Sequence, residues 1–413
     1  MADVTKTYKT DDWQIFTYVP EAGSFVLDFS QLNGSDVLGT TIGTLAEPPF
    51  EIAGISITEG GEVSNGFSLP VTPSVMSVQL MAKDFDINDI NYFLVGTPIL
   101  ATVLFPSSAS LNDSKAKMFQ GFIDSVNVSV NPGANFSTIS IEASARSKAD
   151  LNAKVGIQRN NGAGYKATLI KSSASDVNIQ VFSDFGSTSF AGTTTESKTL
   201  GEWLTDLALT DFMNFKDYPV AKTNSLVSGS IYRIDWNNSI DMRVSKSVGT
   251  SVGTLAENNI TEVSFDWSGK DSPTSVDLTN TFNSEIVYSY GVNQSNGSNS
   301  NFSASVDVFD LGQMAIIGQQ ILSMNKNFRP ISVSTEIASQ YKTIEYRLTT
   351  ITGDTTLNEY IYPENLFFVG ETITIDLPDN GVDEQKMLIT GRTMNITPDN
   401  WTTTYQLWKG FTN

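Results

Sequence analysis

The sequence has no cysteine and no histidine. Their absence removes disulfides, thiolate and imidazole metal sites, Cys- or Ser-His nucleophile systems and every histidine acid–base role. Charge is also scarce. Asp, Glu, Lys and Arg make up 17% of the 413 residues, below the usual quarter, so the polar surface must be built largely from Ser, Thr, Asn and Gly, a β-rich composition. The charge that is present is lopsided, with 45 acidic residues against 25 basic ones and a formal net charge of -20. A groove that tracks a phosphate backbone needs the opposite sign, which disfavours a nucleic-acid binder. There is no basic start leading into an apolar core, so no signal peptide is read. The longest apolar stretch, 92–105, is broken by Gly96 and Pro98 and falls short of the roughly 20 residues that span a bilayer. No membrane insertion is expected, and the lack of cysteine leaves the redox compartment open.

What is there is mostly strand pattern. The chain is long enough for about three domains. Residues 1–155 read as short strands between turns, a sandwich or barrel pattern. Val126, Val128 and Val130 alternate with Ser125, Asn127 and Ser129, and Ile139, Ile141 and Ala143 with Ser140 and Glu142, two half-buried strands joined by the turn residues Asn131-Pro132-Gly133-Ala134-Asn135. A brief helix from about Ser147 follows. Residues 156–255 read as an inserted α/β region after the break at Asn160-Asn161-Gly162-Ala163-Gly164. Its clearest helix starts at Thr199-Leu200-Gly201-Glu202, a capping-box spacing, with Leu200, Trp203, Leu204 and Leu207 on one face that should pack on strands. Residues 256–330 hold a strand at 284–290, an exposed Asn/Ser/Gly loop at 293–301, and a second helix over 310–325. That helix has Leu311, Met314, Ala315, Gly318, Ile321 and Leu322 at helical spacing, glycines that suggest close packing, and Arg329-Pro330 as its stop. From 331 to 413 the chain is β again. Ile373, Ile375 and Leu377 alternate with polar residues, as do Thr403, Tyr405 and Leu407, and Asp379-Asn380-Gly381 is a hairpin signal.

The two ends share an order of features. Val95-Gly96, Ile99 and Val103 align with Val369-Gly370, Ile373 and Ile375; Lys117-Met118 with Lys386-Met387; Gly121 with Gly391; and Asn127-Val128-Ser129 before Pro132 with Asn395-Ile396-Thr397 before Pro398. Each ends on a Ser/Thr-rich strand, 136–143 or 401–408. Any two β-meanders share turn glycines and alternating aliphatics. A duplicated β-module is the sharper reading, and it has a geometric use, because three copies would offer six similar positions around a ring.

Three stretches carry a family resemblance. They are Gly96-Thr97-Pro98-Ile99 with the run 118–126 and the strand 136–143, Gly370-Glu371-Thr372-Ile373-Thr374-Ile375, and Leu388-Ile389-Thr390-Gly391 with 396–403. Together they resemble the first and last tube-type β-barrel domains of phage tail hub and minor tail proteins, covering about half of the chain with loose motifs. The resemblance implies a mainly β fold, with two related barrels flanking an inserted middle. It further implies a virion structural protein, made in the host bacterial cytoplasm, that forms a homotrimeric ring at the distal end of the tail. There it would join the sixfold tube to a threefold tip or fibre, next to distal tail proteins and the tape measure protein, with DNA passing through unbound. An acidic wall would let phosphates slide, though net charge also simply keeps a protein soluble. The middle, 156–330, matches nothing in that family.

No catalytic, cofactor or metal residue is assigned. Asp84, Asp86 and Asn88 begin like a calcium loop, but Asp89 stands at the sixth position and Val95 at the twelfth, where Gly and Glu belong; a solvated acidic turn is the simpler reading. Glu202, Glu285, Glu336 and Glu364 are carboxylates a cell-wall hydrolase would need in pairs, yet none has a recognisable catalytic context, and Glu202 is explained as a helix cap. Ser114-x-x-Lys117 and Ser323-x-x-Lys326 lack the companion motifs of acyl-transfer enzymes. The Asn-x-Ser/Thr triplets at Asn112, Asn259 and Asn301 follow from composition. Trp13, Trp236, Trp267 and Trp401 suit cores or interfaces better than sugar stacking, but with the 293–301 loop they sustain the alternative of a carbohydrate-binding adhesin.

Overall fold

The computed structural model describes residues 8–20, 43–63, 69–83, 85–86, 92–105, 114–130, 136–145, 147–174, 179–181, 188–218, 239–244, 250–266, 273–291, 300–323, 329–337, 341–349 and 355–410. The fold is mainly β. The N-terminal strands are β1 (Trp13–Pro20), β2 (Gly43–Ala46), β3 (Glu51–Gly60), β4 (Val75–Lys83), β5 (Pro98–Phe105), β6 (Ser114–Val130) and β7 (Phe136–Ser144). They hydrogen-bond in the order β3-β4-β7-β6-β5-β1-β2. Strict alternation makes β4 one-sided: Met76, Val78, Leu80 and Ala82 are buried while the residues between them are exposed, the period-2 signature of a sheet with one face on a core. Strand β6 turns a corner, pairing with β5 up to Phe122 and with β7 from there on.

The middle of the chain contributes α1 (Ser147–Asn152), β8 (Lys154–Gln158), α2 (Lys166–Ser173), β9 (Ile179–Val181), β10 (Thr195–Thr199), α3 (Leu200–Thr210), β11 (Met213–Tyr218), β12 (Ser239–Val244), β13 (Thr254–Ala256), β14 (Glu262–Asp266), β15 (Ser275–Asn280), β16 (Val287–Gly291), β17 (Asn301–Val306) and α4 (Leu311–Leu322). Helix α3 starts where the capping box places it. Thr199 Oγ1 accepts from the Glu202 amide at 3.2 Å and the Glu202 carboxylate from the Thr199 amide at 2.7 Å, a cap that stabilises by about 1 kcal/mol. The predicted face packs as expected: Leu200, Trp203, Leu204 and Leu207 are buried, and Trp203 Nε1 donates to the Val155 carbonyl of β8 at 3.1 Å.

Helix α4 is shorter than 310–325. Asp310 caps it, Ser323 ends it well before Arg329-Pro330, and those two residues open the next strand instead. Its buried stripe is Met314, Ile317, Gly318 and Ile321, an i, i+3, i+4, i+7 set that leaves Leu311, in the first turn, 49% exposed. Gly318 is the glycine that packs closely: a Cβ there would lie 2.4 Å from Tyr288 Cε1. The strand predicted at 284–290 begins at Val287, because Asn280 and Asn283 side chains accept backbone amides and hold 282–285 as a turn.

The last strands are β18 (Arg329–Glu336), β19 (Tyr341–Thr349), β20 (Thr355–Pro363), β21 (Thr372–Leu377), β22 (Val382–Ile396) and β23 (Trp401–Trp408). Strands β19 and β20 pair with each other in a separate two-stranded sheet; the others continue the same large sheet as β14-β18-β23-β22, with β21 on the first half of β22 and β13 on β21. Pairing therefore draws β13 and β14, upstream of 331, into the C-terminal sheet.

The two ends have the same construction. Gly96 and Gly370 adopt φ of 81° and 85°, a left-handed turn that only glycine adopts freely. The Gly96 amide donates to the Ile123 carbonyl and the Ile123 amide to Thr97; the Gly370 amide donates to Ile389 and the Ile389 amide to Glu371. Both long strands then bulge by one residue, at Asp124 and at Thr390. Ile123 faces Ala143 and Ser125 faces Glu142, just as Ile389 faces Leu407 and Gly391 faces Gln406. This register corrects part of the sequence alignment. Ser125, not Gly121, is the counterpart of Gly391; Asn127 corresponds to Thr393, not Asn395; and Met118 is itself a bulge residue, out of step with Met387. Bulges shift the count without leaving a mark in residue type.

The two modules join at β22 and β3, which pair antiparallel from Gly391–Gly60 to Ile396–Ile55. Trp401 of the C-terminal module is buried in the N-terminal core, edge-on to Trp13 at 5.1 Å.

Candidate functional site

The joined sheet presents one long polar face. In one row across it, neighbouring partners run Ser125, Glu142, Ser77, Ser56, Asn395, Thr402, Glu336. A second row runs Thr58, Thr393, Thr404, Ser334, Glu262, and a third Asn127, Ser140, Gln79. Side chains bridge the strands: Ser56 Oγ donates to Asn395 Oδ1 at 2.9 Å, the Ser334 and Thr404 hydroxyls lie 2.8 Å apart, and Ser125 Oγ donates to Glu142 at 3.1 Å. The alternate residues of the same strands, among them Ile55, Val78, Ile141, Met394, Val333 and Tyr405, form the core beneath. These rows hold three carboxylates and no cation. The same face of β4 also carries exposed Val75 and Met81 and, at its end, Lys83, but the rows themselves wet readily and offer no fixed positive charge to retain a phosphate.

The junction under this face is clamped by a buried ion pair. Arg392 on β22 is 2% exposed; its Nη2 donates to Glu59 Oε2 on β3 at 2.7 Å and its Nη1 to the Phe367 carbonyl at 2.9 Å, with the guanidinium 4.7 Å from the Phe368 ring. Tyr405, fully buried, donates its O–H to the Asn365 carbonyl at 2.7 Å and accepts from the Phe367 amide at 3.0 Å. Burial pushes this phenol well above its ordinary range.

A second buried charge cluster ties the middle elements together. Arg159, after β8, holds Asp307 in a bidentate pair at 2.7 Å for each nitrogen, and also binds Glu196 of β10. Lys166, at the start of α2, is fully buried, donating to the Asp307 carbonyl at 2.6 Å and pairing with Asp206 of α3. Burial pushes the Asp206 carboxyl up, against the pull of Lys166. Burial works the same way on Glu196, but hydrogen bonds from Lys198 and Arg159 outweigh it and hold that carboxyl below its usual range. Sequence reasoning missed this cluster, since Arg159 and Lys166 flank a patternless loop and Asp307 lies far along the chain. Every described member has a partner of opposite charge, so the cluster reads as a lock between elements.

The sequence candidates do not converge. Glu202 caps α3, Glu285 sits in the turn before β16, Glu336 ends β18 and Glu364 follows β20. Ser323 caps the end of α4, its hydroxyl on the Gln320 carbonyl at 2.7 Å, and Ser114 opens β6, while Lys326 lies outside the described residues. Asp84, Asn88 and Asp89 lie outside them too, as do Asn112, Trp236, Trp267 and 292–299. Asn259 lies in a turn and Asn301 on β17. Trp13 and Trp401 are core residues. Among the described residues no group of His, Cys, Asp or Glu could hold a metal ion, and no helix is long and apolar enough to cross a membrane.

No family model matches the sequence, and no curated protein matches it. Solved structures do. A tail protein from Neisseria meningitidis MC58 aligns over 96% of this chain and 98% of its own, with a TM-score of 0.56 at 11% identity. The 43 kDa tail protein of prophage MuSo2 from Shewanella oneidensis aligns over 88% of this chain and 95% of its own, with a TM-score of 0.53 at 13% identity. The likeness spans nearly the full length on both sides, including the middle that matched nothing by sequence. The resemblance to phage tail proteins is therefore met at the level of fold.

Proposed function

We propose that the chain is a non-enzymatic structural protein of a phage tail, the trimeric hub at the distal end of the tail tube. The observation that carries this reading is the pair of like-built modules joined in one sheet: three such chains would present six similar positions to a sixfold tube and three to a threefold tip. The polar face, whose three rows hold no cation, would line the conduit, where DNA passes without being held. The full-length fold likeness to two tail proteins supports a place in the tail. The partners that follow are the tail tube and distal tail proteins, the tape measure protein inside the tube, and a central tip or fibre protein; the location is the virion, after synthesis in the host bacterial cytoplasm. Light-scattering mass after size exclusion, at two concentrations, tests it. A mass of three chains is expected; a stable dimer or tetramer would overturn it. No described feature favours the adhesin reading, since Trp13 and Trp401 are buried and most of the 293–301 loop lies outside the described residues.

A further inference from the structure

The β22–β3 junction has two counterparts that it leaves open. Register makes β6 the counterpart of β22, as shown above, and β14 the counterpart of β3: β14 pairs with β18, and β18 with β23, as β3 pairs with β4 and β4 with β7. Ser56 faces Ser77, which faces Glu142; Ser264 faces Ser332, which faces Gln406. Ser264 is thus the counterpart of Ser56, and Val263 of Ile55. Along β6, Ser129 corresponds to Asn395, and Val130 to Ile396. Yet the edge of β6 over 125–130 that corresponds to the one β22 gives to β3 has no strand partner among the described residues, and β14 ends the sheet.

The side chains at these edges are those of an unfinished interface. At the closed junction Ile55, Ile57, Met394 and Ile396 are at most 3% exposed. Their counterparts are apolar too, Val263, Phe265, Val128 and Val130, but the first three are half-buried and Val130 is 58% exposed. Nor is the β6 edge defended: Ser125-Val126-Asn127-Val128-Ser129-Val130 contains no charge and no proline, the usual guards of a free edge.

We infer that β6 of one copy pairs antiparallel with β14 of a second copy, reproducing between chains the β22–β3 pairing made within each. The register follows from the counterparts: Ser129 opposite Ser264, Val130 opposite Val263 and Val128 opposite Phe265. The contact is heterologous, each chain giving β6 on one side and β14 on the other, so it must close into a ring or run on as a filament. Closure at three rests on the function proposed above; the strand pairing does not. The polar face continues across the new joint, where Ser129 and Ser264 take the places of Asn395 and Ser56.

Because the chain has no cysteine, a disulfide reports the register without background. The double variant Ser129→Cys with Ser264→Cys, oxidised at native concentration and run without reductant, is expected to give chains covalently linked in threes, lost on reduction. Directly opposed strand residues lie within disulfide reach, whereas Ser125→Cys with Ser264→Cys is out of register by four residues, about 13 Å, and should not link. The variant Ser56→Cys with Asn395→Cys calibrates the geometry by forming the equivalent bond within one chain. A trimeric mass with no S129C–S264C link, while the calibrating bond forms, overturns the strand pairing and leaves the hub reading standing. A monomer at the highest attainable concentration, unlinked, overturns both. Links that build a ladder beyond three chains keep the pairing and overturn closure at three.

Discussion

Arg392 and Glu59, 333 positions apart in sequence, form a 2.7 Å ion pair beneath the sheet at the place where the two modules meet. The guanidinium is almost wholly buried and Glu59 nearly so. Removing one partner of such a pair strands the other charge in a low-dielectric site and costs about 3–5 kcal/mol, whereas replacing both with apolar residues costs far less. Glu59→Gln should therefore lower the unfolding free energy by more than the double variant Arg392→Met with Glu59→Met. Denaturant unfolding of the two checks the order; equal losses would deny the pair its role as a clamp.

Tyr405 makes a narrower test. Its hydroxyl joins the Phe367 amide to the Asn365 carbonyl in a fully buried site. Tyr405→Phe keeps the ring and orphans both backbone groups, which should cost about 1–3 kcal/mol. Thermal or denaturant unfolding would show the loss, and an unchanged midpoint would contradict it.

Helix α4 rests on Tyr288 through the bare face of Gly318. Adding one methyl there forces the helix or the ring to move, and Gly318→Ala should destabilise by about 1–3 kcal/mol despite the higher helix propensity of alanine. A stabilised variant, measured by denaturant unfolding, would mean the contact is slack.

The pH dependence of the middle region follows from Glu196. Its carboxyl is held below the ordinary range in the folded chain, so its stabilising contribution is present above the unfolded value near 4.5 and is lost as pH falls through the folded value. Asp206, pushed up by burial, acts oppositely, its contribution being full at low pH and lost as pH rises. The difference between wild type and Glu196→Gln isolates the first group: it should shrink steadily below about pH 4.5. Unfolding curves measured from pH 3 to 6 check this, and a difference independent of pH would contradict it.

Much of this was legible locally. Period-2 alternation marked 139–143, 373–377 and 403–407 as one-sided strands, and the Thr199–Glu202 spacing placed α3, because both signals act over a few residues. The repeat was legible in its order of features but not in its register. One-residue bulges at Asp124 and Thr390 displace the pairing, and the shared Lys-Met and Asn-x-Ser/Thr letters misled. The polar face was illegible as a surface. Its rows depend on β22 meeting β3 across more than 300 residues, and no local pattern encodes that meeting. The Arg159–Asp307 pair was hidden for the same reason.

The central claim is that three copies close into a ring whose polar face turns inward. Negative-stain class averages of the purified protein, viewed down the particle axis, test it most directly. The account predicts six lobes of alternating shape around an open centre, with threefold symmetry. Twofold particles, or threefold ones with a filled centre, would contradict it.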